Sequence, residues 1–219
     1  MPLFNFRAPA LPIPPDEYAR QQFDEQARAL RLYFNRLDGD LTTLSNPNGG
    51  GNLSFPHIAA SDSTDQIATG DDTPTIVTWD TLESGSGWTL ASNAATAQYA
   101  GVYTIRYSLQ LINTDNAEHD ASVWLKVNNV DVANSATIFT LPPRKGAGGP
   151  SYVCGYSEAT FTIDAGDVVA LYWATDLAGD PTTPTDGVYI FHDAVQTTPF
   201  ARPAIPSAIG SISFVSALP

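Results

Sequence analysis

Residues 102–112, with the sequence VYTIRYSLQLI, carry the pattern that decides the fold. Large apolar side chains alternate there with polar side chains, and this period of two is typical of a β-strand with one buried face and one exposed face. The apolar positions are Tyr103, Ile105, Tyr107, Leu109 and Leu111. Because an apolar sheet face has to be covered by a second layer, the segment predicts a packed β-sheet structure.

Further short strands are predicted on both sides of this segment. In residues 121–128, Val123, Leu125 and Val127 lie on one face, and Asn128-Asn129 indicates a two-residue hairpin turn. The other predicted strands lie near residues 75–80, 87–91, 131–140, 151–163, 167–174, 187–192 and 209–217. About ten short strands separated by turn residues predict a mainly β protein with an antiparallel sandwich or jelly roll.

Two of these strands are apolar on both faces, at residues 168–173 and 188–191. In a sandwich, one face of each strand is usually in contact with water, so the second apolar face needs a cover. Neighbouring subunits around a symmetry axis would supply it. The predicted subunit-interface residues are Tyr172, Trp173, Tyr189 and Phe191. The alternative is that loops of the same chain cover these strands.

Residues 16–45 predict a coiled-coil helix, because apolar residues recur there at alternating spacings of three and four. The apolar stripe, called the seam below, consists of Phe23, Ala27, Leu30, Phe34, Leu37, Leu41 and Leu44. A helix that packs on its own domain is the alternative, but such a helix usually has a wider apolar face. The seam therefore favours self-association, although it does not select two, three or more chains.

Residues 1–15 predict an extended arm, because five of them are prolines. The arm also contains large apolar side chains, which are uncommon in disordered tails, the alternative interpretation. We expect it to dock into a groove on another protein. The predicted anchoring residues are Phe4, Phe6, Arg7, Leu11 and Ile13.

A hinge is predicted at residues 46–52, NPNGGGN, where a proline ends the helix and three glycines have no preferred conformation. The predicted organisation is thus an arm (1–15), a coiled-coil helix (16–45), a hinge (46–52) and a sandwich head (53–219).

Composition restricts the classes of partner. The chain has 43% hydrophobic residues, enough for a core, and a net charge of −13 at pH 7. This acidity disfavours binding to nucleic acid and to anionic membranes. Neither a secretory signal nor a run of eighteen apolar residues is present, and Cys154 is a lone cysteine, expected to be a buried structural thiol. Together these features predict assembly in a reducing cytoplasm.

The sequence contains no motif for catalysis or for a cofactor. His57, His119 and His192 lie in separate segments without metal-ligand spacing, and no phosphate-binding or nucleophile motif is present. We therefore expect no enzyme activity and no cofactor. Oxygen ligands for calcium could come from Asp71-Asp72 or from Asp176 with Asp180, but solvated acids in turns are the favoured interpretation.

Several short stretches resemble the trimeric jelly roll that is shared by tumour necrosis factors and the globular heads of complement. They are GVYTIRYSLQL (101–111), WLKVNNVDV (124–132), DAGDVVALYW (164–173) and SAIGSISFVSAL (207–218). The resemblance covers about residues 70–218 and implies a threefold head.

Residues 1–41 resemble the N-termini of tailed-phage fibre-like and head-decorating proteins, in which a short arm and a coiled coil precede a head. This resemblance implies a virion protein assembled in the host cytoplasm, with the arm bound to capsid, portal or neck and the coil as a homotrimer. The alternative function is a receptor-binding tip that recognises host glycan or protein through exposed aromatics such as Trp88 or Tyr152. A depolymerase is a third hypothesis, but no pair of carboxylates is indicated for it.

Overall fold

The computed structural model of the protein describes residues 20–45, 55–146, 149–182 and 186–218. The chain divides into two compact units, residues 1–54 and residues 55–219, which are described separately below. The predicted arm, the predicted hinge and the first residues of the predicted helix lie outside the described residues. Their assignments remain predictions from the sequence.

One helix, α1, covers Arg20–Ser45 in the first unit. Its sequence contains residues with high helix propensity, such as Ala, Leu, Arg and Gln, and Arg20 and Asp24 form an i,i+4 ion pair. Gly39 interrupts this composition without ending the helix. The backbone thus places the seam positions on one side of α1, as their spacing predicted. The side chain of Leu44 is not among those described.

The second unit contains thirteen strands. In chain order these are β1 (His57–Asp62), β2 (Thr75–Ile76), β3 (Thr81–Ser86), β4 (Trp88–Ala91), β5 (Ala94–Ala97), β6 (Gly101–Asn113), β7 (His119–Val127), β8 (Val130–Asp131), β9 (Thr137–Leu141), β10 (Ser151–Ile163), β11 (Val168–Thr175), β12 (Val188–Ile190) and β13 (Ala208–Ser216).

The strands form two sheets in which every pair is antiparallel. The first sheet has the order β10-β6-β13-β1-β3, and β12 also pairs with β6. The second sheet has the order β4-β5-β11-β7-β8, with β2 on β11 and β9 on β7. Because the chain passes repeatedly between the sheets, the wiring is consistent with a jelly roll, and the predicted antiparallel sandwich is confirmed.

The core lies between the two sheets and follows from the alternation in β6. Tyr103, Leu109 and Leu111 point inwards from β6 and are fully buried. Val123 from β7 is fully buried in the same core cluster. The edge of Trp88 contacts the ring of Tyr103, with 5.0 Å between ring centroids. The pattern in residues 102–112 therefore gave the correct inward face.

Turn and strand predictions had different outcomes. Asn128 and Asn129 have φ angles of 52° and 64° and connect β7 to β8, so the predicted hairpin is confirmed. In contrast, β1 and β5 were not predicted, because they consist largely of small residues, HIAASD and AATA, without a strong strand preference. Their position is set by pairing with longer strands.

Candidate functional site

The seam of α1 is the first candidate surface. Phe23, Phe34 and Leu41 are 52%, 58% and 52% exposed, which is unusual for large apolar side chains. Leu32 is also exposed, at 62%, but it lies outside the seam at an outward heptad position. The helix therefore presents an apolar stripe and, away from it, one isolated apolar residue.

The four predicted interface residues do not form one surface. Trp173 points into the core and is completely buried by its own chain, which corrects the expectation that it contacts a neighbouring subunit. Its strand reads as apolar on both faces because an inward Trp173 is followed along the chain by no polar outward residue. Tyr172 lies on the outer face of the second sheet, beside Trp124, and Lys126 Nζ is 4.7 Å from its ring centroid.

Tyr189 and Phe191 lie instead on the outer side of the first sheet, in an aromatic cluster with Tyr152. The ring centroid of Phe191 is 5.6 Å from that of Tyr152 and 6.3 Å from that of Tyr189. Tyr152 and Tyr189 flank Ile112 in register, so the three side chains share one face. Burial, together with the nearby Asp65 carboxylate, raises the pKa of Tyr189. Its own chain thus covers Tyr189, while Tyr152 remains exposed.

The outer face of the first sheet, formed by the outward side chains of β10, β6, β13 and β1, is the second candidate surface. It is poor in charge for a chain with a net charge of −13. The outward residues of the three inner strands include Thr104, Ser108, Gln110, Ser211, Ser213, Ala59 and Ser61. These small or neutral side chains make a flat, weakly polar face that is suited to contact with another protein surface.

One ion pair lies in the middle of this face. The guanidinium Nε of Arg106 donates to Glu158 Oε2 at 2.8 Å, and the Tyr156 hydroxyl donates to the same oxygen at 3.0 Å. The hydrogen bonds from Arg106 and then Tyr156 lower the pKa of Glu158. Because the two charges neutralise one another, the pair leaves the face nearly neutral.

Two sequence predictions about single residues were wrong. Cys154 is exposed on this outer face, where Ser108 Oγ lies 3.3 Å from its sulfur, because the inward position in β10 belongs to Gly155. Trp88 is 6% exposed, since it points into the core from β4, so it is not a sugar-stacking residue in a loop. Tyr152, the other aromatic that was predicted to contact glycan, is 54% exposed.

Within the described ranges, no group of three or more His, Cys, Asp or Glu side chains could hold a metal ion. The acids considered for calcium have other partners. Asp71 Oδ1 accepts from the Ala178 amide at 2.8 Å, and Asp180 Oδ1 accepts from the Thr182 amide at 2.7 Å. The carboxylate of Asp176 contacts a histidine ring.

A small cavity between the sheets does not resemble a substrate site. It has a volume of about 60 Å³ and is lined largely by apolar side chains, among them Ile58, Ile105 and Leu171. Ligand pockets usually have volumes of roughly 300–1,000 Å³. The cavity is therefore too small for most organic substrates.

Sequence reasoning missed one polar arrangement, at His119. The ring lies between the carboxylates of Asp115 and Asp176. The i,i+4 spacing of Asp115 and His119 was a weak signal, but Asp176 is distant in the sequence and only the fold places it there.

No protein-family model matches the sequence, and no curated protein is similar to it. Among the described residues, no helix has both the length and the apolar character that are needed to cross a membrane. Two solved structures are similar in fold. The tumour necrosis factor Eiger from S. frugiperda has a TM-score of 0.45 and 16% identity, over 76% of this chain and 97% of that chain. The globular domain of the zebrafish complement 1qA protein has a TM-score of 0.42 and 12% identity, over 75% of this chain and 100% of that domain.

Proposed function

We propose that the chain is a trimeric, non-enzymatic structural component of a phage virion, either a head or neck fibre or a decoration protein. Residues 1–15 attach it to capsid, portal or neck, and the sandwich head is displayed. The single observation that carries the proposal is the exposed seam of α1. Seam residues such as Phe34 and Leu41 gain an apolar environment only through contact with another surface, and further copies of α1 present the matching stripe.

The outer face of the first sheet supports self-association of the head. Its central charges, Arg106 and Glu158, are already paired, so a second copy could approach without leaving an unpaired buried charge. Exposed Tyr156 and Ile209 add apolar area to the same face. Aromatic residues are enriched at the centres of protein interfaces, while charged residues are depleted there.

In this proposal α1 couples three arms to three heads. A single arm of fifteen residues binds weakly, but three linked arms act together through their high effective concentration. The particle therefore holds the trimer more strongly than it would hold one chain. The threefold order itself is drawn from the resemblance of the head sequence, since the seam does not select it.

Deletion of residues 2–15 tests the anchoring role. The shortened chain should remain a soluble trimer but should no longer sediment with virus particles. Replacement of Phe4, Phe6, Leu11 and Ile13 by serine should have the same effect, because it removes the apolar area of the arm. Replacement of Asn5, Ala8 and Ala10 by serine is the matched control and should leave attachment intact. Attachment of the shortened trimer would contradict the anchoring role.

The alternative function is a receptor-binding tip that recognises host-surface glycan or protein. Tyr152 favours it, because an exposed ring beside Phe191 offers a firm aromatic surface for stacking. The test is binding of the full chain to host cells. Tyr152→Ala should weaken binding, whereas Ile138→Ala, on the opposite sheet, should not. Equal binding by both variants would exclude Tyr152 as a receptor contact.

A further inference from the structure

The ring of His119 lies between two carboxylates that come from different parts of the fold. Its Nε2 is 3.1 Å from Asp115 Oδ2, in the loop between β6 and β7. Its Nδ1 is 3.1 Å from Asp176 Oδ2, in the residue that follows β11. The side chain of His119 is only 12% exposed, so water has limited access to the ring.

The geometry constrains the protonation state of the ring. A neutral imidazole has one N–H group, so one ring nitrogen would direct its lone pair at a carboxylate oxygen. Only the imidazolium donates to Asp115 and to Asp176 at the same time. Both contacts at 3.1 Å are hydrogen-bond distances, which fits a doubly protonated ring.

The surroundings favour the same state. Burial by itself lowers the pKa of His119, but the hydrogen bonds and charges of Asp115 and Asp176 outweigh it and raise the pKa above its ordinary value. The pKa of Asp115 is lowered, first by the Ala117 amide and then by the His119 ring. The three groups are therefore held as one cation between two anions.

The two carboxylates also organise the backbone around the ring. Asp115 Oδ2 accepts from the Ala117 amide at 2.9 Å, and Asp176 Oδ1 accepts from the Asp120 amide at 3.2 Å. A protonated His119 thus connects the β6–β7 loop to the end of β11. Loss of its charge would leave two nearby anions without their shared cation.

Other charged groups near the ring have different partners. Arg144 binds Asn116 Oδ1 and Asp186 Oδ2, and it reaches Asp115 only through its backbone amide. Asp120 accepts from the Thr140 hydroxyl, and Glu118 is exposed next to the ring in sequence. Within the described part of the chain, His119 is the one cation paired with the Asp115 and Asp176 carboxylates.

We propose that His119 is a pH-sensitive clamp, which joins the β6–β7 loop to the end of β11 when the ring is protonated and releases one of them when the ring is neutral. The inference is independent of the virion role. It gives this end of the head a structure that is tighter in mildly acidic solution than in alkaline solution.

The direction of the effect follows from linkage. The pKa of His119 is higher in the folded chain than in the unfolded chain, so its contribution to stability is complete below the unfolded value of about 6.5. The contribution is lost as the pH rises through the folded value. Asp115 acts in the opposite sense, because its lowered pKa gives stability that is lost in strong acid.

Hydrogen exchange of the full chain between about pH 5 and 9 tests the clamp. After correction for intrinsic exchange rates, the protection of the Ala117 and Asp120 amides should fall as the pH rises. The fall should be about tenfold for each unit by which folding raises the pKa of His119. Protection of the Leu109 amide, in the middle of β6, should stay unchanged.

Variants separate the clamp from general pH effects. His119→Gln should abolish the fall in protection, because glutamine does not titrate. His57→Gln is the matched control, since the ring of His57 contacts Phe55 O and Ser84 Oγ instead of carboxylates. It should behave like the natural chain. A fall in protection that persists in His119→Gln would overturn the proposal.

Asp176→Asn provides a second test that does not depend on how well His119→Gln folds. The change removes one anion, so the pKa of His119, followed through its ring Cε1–H resonance, should fall towards the ordinary value. A natural chain in which His119 titrates at or below about 6.5 would also refute the clamp.

Discussion

Trp79 packs directly on the backbone of Gly210. A Cβ atom at position 210 would lie 2.7 Å from Trp79 Cη2 and 3.1 Å from Cζ3, closer than side-chain carbons normally approach. Gly210 points inwards from β13, and Trp79 belongs to the segment between β2 and β3. The contact ties this segment to the first sheet, and the absence of a side chain at Gly210 makes it possible.

Gly210→Ala should therefore destabilise the head, by about 1–3 kcal/mol in the free energy of unfolding, because the ring of Trp79 has to move. Urea unfolding of the full chain measures the change. Gly85→Ala is the control, since its new Cβ would have no neighbour closer than 3.7 Å. Equal stability of the Gly210 and Gly85 variants would show that the Trp79 contact is easily rearranged.

Substitution in the seam should weaken self-association. Phe34→Ser and Leu41→Ser each remove an apolar side chain from the stripe, so sedimentation should detect dissociation at higher protein concentrations than for the natural chain. Leu32→Ser removes a similar exposed residue from an outward position and should have no effect. If Leu32→Ser dissociates the assembly as strongly as Phe34→Ser, the seam assignment is wrong.

A charge on the outer face of the first sheet should also disrupt the assembly. Tyr156→Glu would add an unpaired carboxylate beside Glu158 at the proposed contact between heads. Ile138→Glu places the same charge on the outer face of the second sheet, where Ile138 is 65% exposed. We expect a smaller assembly only for Tyr156→Glu. Two variants of unchanged mass would place the contact between heads elsewhere.

The reactivity of Cys154 reports on the same face. Its thiol is exposed in the single chain and lies between Tyr152 and Tyr156 along β10. In the assembled protein, alkylation by a thiol reagent should be slow, and Phe34→Ser should make it faster by releasing single chains. Rapid alkylation of a protein that sediments as an oligomer would mean that this part of the face stays open.

Much of the fold was predictable, because the decisive information was local. The alternation from Tyr103 to Leu111 and the pair Asn128-Asn129 have direct consequences for sheet and turn geometry. Strands β1 and β5 were missed, since small residues form strands there only through pairing with β13 and β11.

The candidate surfaces were less predictable. A strand that is apolar on both faces does not reveal which face is inward, so Trp173 and Cys154 were placed on the wrong sides. The same limit affected Trp88. The His119 clamp depends on Asp176, which only the pairing of β7 with β11 brings close. Local pattern could identify the seam, since its spacing is a property of one helix.

The mass of the full chain in solution, measured by analytical ultracentrifugation, tests the central claim most directly. The account predicts a species three times the 23.4 kDa of one chain, held together by the seam of α1 and by the outer face of the first sheet. A monomer across the accessible range of concentrations would contradict self-association, and with it the proposal of three coupled arms that anchor one head assembly to a particle.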